Sequence, residues 1–150
     1  MKILIMSLLL LTPLMSLFSQ SNEELDRFLN QPTADLASAV WLVYLSSGTL
    51  PYEATPEEAM DYLMESDNRS RFAGKSGDTP ITYREFALIA MDEHDLPGGL
   101  MYRIFRSPRY AAKEMTYRRW MPGKPKGGTE LTPWDVTTSL SQILSWKEEQ

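Results

Sequence analysis

The sequence predicts an all-α fold, and three observations carry that prediction. Thr55-Pro56-Glu57-Glu58, Thr82-Tyr83-Arg84-Glu85 and Thr132-Pro133-Trp134-Asp135 each place a hydroxyl before a first helical turn and an acid three residues later. Apolar residues then recur at helical spacing, and no stretch alternates with the period of two that a half-buried strand requires. The chain has no cysteine, which excludes disulfides and thiolate chemistry, so the fold must rest on its core. Four Trp, seven Tyr and five Phe supply large apolar side chains for it, and a chain of about 130 residues buries roughly two-thirds of its unfolded surface. The expectation is one compact domain of about six helices, some short.

Ser21-Asn22-Glu23-Glu24 forms a capping box for the first helix, with Leu25, Phe28 and Leu29 on one face and Pro32 beyond its end. Thr33 is the expected cap of a second helix, Ala34 to Ser47, apolar almost all round and therefore central. Gly48 stops it where a left-handed residue is favoured. After Thr55, the residues Ala59, Met60, Leu63 and Met64 face inward; after Thr82, Phe86 to Ile89 and Met91 do the same. Ser107-Pro108 and Thr132-Pro133 open the last two helices. Ser66–Pro80, Pro97-Gly98-Gly99 and Pro122–Gly128 read as loops.

The N-terminus has the layout of a secretory signal peptide, residues 1–19: Lys2, an apolar run from Ile3 to Phe18, then Ser19 as the best cleavage position. The run is interrupted by Pro13 and falls short of the roughly 20 residues that span a bilayer. The mature chain, 20–150, is therefore expected outside the cytoplasm, in a periplasm or cell envelope. Without Lys2 the net charge passes from −5 to −6. It divides as −10 for Ser21–Tyr102 (five basic, fifteen acidic), +7 for Arg103–Lys126 (eight basic, one acidic) and −3 for Gly127–Gln150 (one basic, four acidic). A basic stretch on an acidic body either meets an anionic partner or packs against the acidic half of the same molecule, and the second arrangement is the expected one.

Two stretches resemble S-layer homology modules, in which a "WA…AI" helix leads through a glycine-bearing loop to a "TRAEF" helix. Tyr110-Ala111-Ala112, Met115, Tyr117, Trp120, Gly123, Gly127-Gly128-Thr129 and Leu131 to Asp135 follow that order, in residues 107–146. A more broken copy, residues 33–94, runs from Leu36-Ala37-Ser38-Ala39-Val40 past Gly48 to Ile81-Thr82-Tyr83-Arg84-Glu85-Phe86-Ala87, with the Thr55 helix as an insertion. The resemblance implies a helical, non-catalytic module that tethers exported proteins to cell-wall polysaccharide. It departs at the arginine that follows the threonine in the family motif, because Tyr83 and Pro133 stand there; Arg84 is one residue late, about 100° away around a helix.

Arginines pair with carboxylates or phosphates and aromatic faces stack on sugar rings, so the candidate ligand residues are Arg103, Arg106, Arg109, Tyr110, Arg118, Arg119 and Trp120. The expected partner is an anionic cell-wall polymer or another envelope protein, the latter docking on Gly98–Tyr102 and the basic helix. Nucleic acid would use the same chemistry, but export argues against it. No cofactor, metal or enzymatic activity is expected: Asp92-Glu93-His94-Asp95 holds the one histidine and reads as a solvated helix end. A faint similarity of Glu65-Ser66 and Phe72 to Gly77 to lytic transglycosylases would make Glu65 the acid–base catalyst of a glycan-cleaving enzyme, a role that requires its burial. Asn68-Arg69-Ser70 matches a glycosylation acceptor, a common motif with no expected use here.

Overall fold

The computed structural model describes residues 22–150, so the expected signal peptide and Ser21 of the first capping box lie outside the described residues. The chain is an all-α single domain: α1 spans residues 22–29, α2 Leu36–Ser47, α3 Pro56–Glu65, α4 Arg69–Phe72, α5 Tyr83–Glu93, α6 Leu100–Phe105, α7 Pro108–Arg118 and α8 Pro133–Glu148. Among the described residues no helix is long and apolar enough to cross a membrane. Among the described residues eight helices stand where about six were expected. The additions, α4 and α6, are single short segments without a side-chain cap, since Asn68 makes no capping bond and Gly99 has no side chain to make one.

Three starting points meet in a ring. Ile81 N–H donates to Ala34 C=O at 2.9 Å, Ala34 N–H to Leu131 C=O at 2.7 Å, and Leu131 N–H to Ile81 C=O at 3.0 Å. Each of these residues precedes an N-cap, Asp35, Thr82 or Thr132, so α2, α5 and α8 radiate from one hydrogen-bonded triangle. The symmetry extends outward. Leu36 N–H bonds Thr79 C=O (2.8 Å) as Tyr83 N–H bonds Thr129 C=O (2.9 Å), and Ala37 N–H bonds Gly77 C=O (2.9 Å) as Arg84 N–H bonds Gly127 C=O (3.0 Å). At the third corner the matching donor position is Pro133, which has no N–H to give.

That ring moves the cap of α2. Ala34 spends its backbone on the triangle, and Asp35, rather than Thr33, caps the helix by accepting from Ser38 N–H at 2.8 Å. Gly48 closes it at φ 78°, the left-handed value expected there. The ring also puts α2 in the position of α5 and α8, not in the position of α7, which the 33–94 repeat had assigned to it.

Around this centre the core is continuous. Leu36, Val40, Trp41, Val43 and Tyr44 of α2 are buried, and the helix packs on α3, α5 and α8. Side chains of this size contribute roughly 1.5–3 kcal/mol each on burial. Trp41 Nε1 donates to Ala54 C=O at 2.7 Å, so even the indole N–H is satisfied. The α3 capping box forms as expected, with Thr55 N–H donating to Glu58 Oε2 at 2.7 Å and Glu58 N–H to Thr55 Oγ1 at 3.2 Å. Helix α5 packs on α7 through Tyr83, whose hydroxyl donates to Ala112 C=O at 2.7 Å.

Candidate functional site

The outer helix α7 carries the basic stretch, and a cleft runs along each side of its exposed end. Proline at its first position sets φ for the opening turn. At the far end Arg119 takes a left-handed backbone, φ 61°, and its N–H bonds the Thr116 carbonyl. That turn is bolted to α8: Ser139 Oγ donates to Trp120 C=O, and the Gln142 amide nitrogen donates to the carbonyls of Arg119 (2.6 Å) and Trp120 (3.2 Å). A non-glycine residue in this region costs roughly 1 kcal/mol, which the three hydrogen bonds offset.

The first cleft, about 450 Å³, lies between the start of α5, α7 and the loop before α8, and is lined by Tyr83, Arg84, Arg109, Ala112, Lys113, Thr116, Tyr117, Pro125 and Gly127. The second, about 760 Å³, is lined by Thr116, Tyr117, Arg119, Met121, Pro122, Gly123, Lys124 and Gln142. They share Thr116 and Tyr117, whose ring is 82 % exposed on the ridge between them. No carboxylate lines either cleft, although the chain as a whole is acidic. Arg109 and Lys113 stand four residues apart, one helical turn on the same face. Arg84 is laid against the loop backbone: a Cβ at Gly127 would fall 2.1 Å from Arg84 Nε, so the glycine clears the path of that side chain.

A third cleft, about 710 Å³, occupies the equivalent place one corner earlier in the ring. It is lined on the α3 side by Pro56, Glu57, Met60 and Asp61, and on the ring side by Asp35, Ala37, Gly77 and Asp78. Four acids and one cation, Arg27, line it, so its net charge is the reverse of the first cleft's.

Of the seven expected ligand residues, the structure brings Arg109 to the first cleft and Arg119 to the second. Arg103 and Arg106 sit exposed at α6 and line neither; Arg118 is exposed, with its guanidinium 5.6 Å from the Trp120 ring centroid. Tyr110 is half-buried, stacked on Phe105 at 5.6 Å and covered by Lys113 at 5.5 Å. Trp120 is corrected from ligand contact to core: it is 2 % exposed and packs edge-on against Trp146 at 5.0 Å, so no sugar can reach its face. The aromatic that lines both clefts is Tyr117. Arg84, Lys113, Tyr117 and Lys124 line the clefts without being among the seven expected residues. Helical spacing from Arg109 pointed to Lys113; Arg84, set aside as one residue late in the family motif, is brought in by the ring.

The expected internal neutralisation of the basic stretch is slight. Among the described residues the ion pair between the two halves is Arg106 with Asp92, 3.8 Å apart.

The Asp92–Asp95 segment is not a solvated helix end. His94 is buried, its Nε2 lies 3.0 Å from Ser46 Oγ, and its Nδ1 has no hydrogen-bond partner among the described residues. Burial first, then the charge of Lys147, pushes the imidazole down to about 4, so it stays neutral. Asp92 accepts from Tyr102 Oη (2.5 Å) and Asn68 Nδ2 (3.0 Å), joining α5 to α6 and to the start of α4. Among the described residues no group of three or more His, Asp or Glu is placed to hold a metal ion. Glu65 lies exposed at the last position of α3, without the burial its catalytic reading requires. No family model, curated protein or solved structure matches the chain.

Proposed function

We propose that this chain is an exported, non-catalytic binding module of a cell envelope that holds an anionic wall polysaccharide across the α7 ridge. The observation that carries this reading is the pair of adjoining clefts, which gather Arg84, Arg109, Lys113, Arg119 and Lys124 around exposed Tyr117 without a carboxylate. Guanidinium groups pair bidentately with polymer carboxylates or phosphates, and the phenol face covers a sugar ring. The absence of lining acids matters because each would repel the same ligand at close range.

The proposal keeps the S-layer-homology-like resemblance, with its first copy re-phased. Helix, loop and ring-anchored helix recur as α3 with α5 and as α7 with α8, while α2 anchors the third corner. Gly77 and Gly127 fall at matching places in the two loops, beneath Ala37 in the first turn of α2 and Arg84 in the first turn of α5.

Cosedimentation of residues 20–150 with purified cell-wall sacculi at low and high salt tests the proposal. Binding that falls steeply with salt and is lost in Arg109→Glu with Lys113→Glu supports it, because screening weakens exposed charge pairs. Failure of the folded wild-type protein to sediment at either salt overturns it.

A further inference from the structure

Helix α6 presents an apolar face to solvent. Leu100 (71 % exposed), Met101 (44 %), Ile104 (61 %) and Phe105 (55 %) are all exposed on a six-residue helix. At 100° per residue they span one continuous arc, with Tyr102 on the other side. Tyr102 is the anchor: its ring is buried, its hydroxyl donates to Asp92 Oδ1, and a Cβ at Gly98 would fall 2.2 Å from that ring. Arg106 adds an ion pair to the same aspartate. The helix is therefore held by its back while four large apolar side chains stay out of the core, so poor packing does not account for their exposure.

We propose that this face docks on an anionic lipid surface, with Leu100, Met101, Ile104 and Phe105 entering the interface and Arg103 and Arg106 meeting the headgroups. The charge pattern selects this occupant. Every side chain of Leu100–Arg106 is aliphatic, aromatic or arginine, the composition of helices that lie in a bilayer interface. A specific protein partner needs hydrogen bonds to set its register, about one per 100–200 Å²; apart from its arginines and the buried Tyr102, α6 offers no side chain that can make them. A lipid surface needs no register, only apolar depth and negative charge. The stacking of Phe105 on Tyr110 joins the patch to α7.

Flotation with vesicles of phosphatidylcholine alone, or mixed with phosphatidylglycerol, tests the proposal on residues 20–150, which contain the whole described core. The expected result is binding to the mixed vesicles about tenfold above the neutral ones, and an equal loss in Leu100→Ser with Ile104→Ser. That variant retains helical circular dichroism and sacculus binding, because neither residue supports the core or the clefts. Ile104→Asp alone serves if the double variant fails to fold. Absence of binding to anionic vesicles, or binding unchanged by these substitutions, overturns the proposal. So does a wild-type dimer that becomes a monomer in the variants, since a second copy would then cover the face.

Discussion

The acidic cleft beside α3 and the basic cleft beside α7 are built to one plan and carry opposite charge. Each lies between an outer helix that opens with proline and a ring-anchored inner helix, over a loop glycine four residues before the ring. Counting from each proline, Glu57 corresponds to Arg109, Met60 to Ala112 and Asp61 to Lys113. On the ring side Ala37 corresponds to Arg84, and Gly77 to Gly127. The shared backbone hydrogen bonds set the cleft, and a few surface side chains set its charge. Fold and cleft charge therefore reside in different residues.

The strongest way to break the comparison is to exchange the charges. Arg109→Glu with Lys113→Glu should lower sacculus binding about a hundredfold, roughly 3 kcal/mol for two reversed charges near a surface. Glu57→Lys with Asp61→Lys should leave binding equal or stronger. Equal losses in both double variants would mean that the clefts do not differ in function.

Acid offers another lever, on the scaffold that both clefts share. Its useful range is bounded by His94. The imidazole protonates near 6.5 when unfolded but only near 4 in the fold, so stability is full above pH 6.5 and declines as pH falls toward 4. The difference of 2.5 pH units amounts to about 3 kcal/mol. Glu93, raised by burial, opposes this over its own titration, since the fold takes up its proton first. Urea unfolding between pH 7 and 4 should show the decline, and His94→Gln should flatten it; an unchanged slope would remove His94 as the cause.

The two glycines sharpen the comparison at smaller cost. Gly77→Ala would set a Cβ 3.0 Å from Ala37 Cβ, which cannot swing aside, and should cost about 1–2 kcal/mol in denaturant unfolding. Gly127→Ala meets the Arg84 side chain instead, so its main effect should be a several-fold loss of sacculus binding as Arg84 leaves the cleft. The reverse ranking would count against Arg84 as a ligand residue.

The smallest effect separates stability from binding. Arg119→Gly relieves the left-handed backbone at φ 61° and should raise stability by up to about 1 kcal/mol while weakening sacculus binding through loss of its charge. A thermal melt and one binding isotherm suffice; a variant improved in both would show that Arg119 has no part in the site.

Local chemistry made much of this legible. Hydroxyl caps with an acid three residues on announced α3, α5 and α8, and Gly48 announced the end of α2, because these interactions close within a few residues. The basic stretch was plain from the chain alone. Tertiary structure decided the rest. The bonds joining Ala34, Ile81 and Leu131 link residues 47, 50 and 97 positions apart, so their equivalence left no local trace and the first repeat was misphased. Trp120 and Tyr117 look alike as aromatics among cations, yet the turn pinned by Ser139 and Gln142 buries one and exposes the other. His94 stood in a polar run and was read as solvated, but Ser46 and the end of α2 close over it. Composition and spacing determine which residues a helix offers, whereas burial depends on what distant segments bring against it; only the folded ring chose which cations share a cleft.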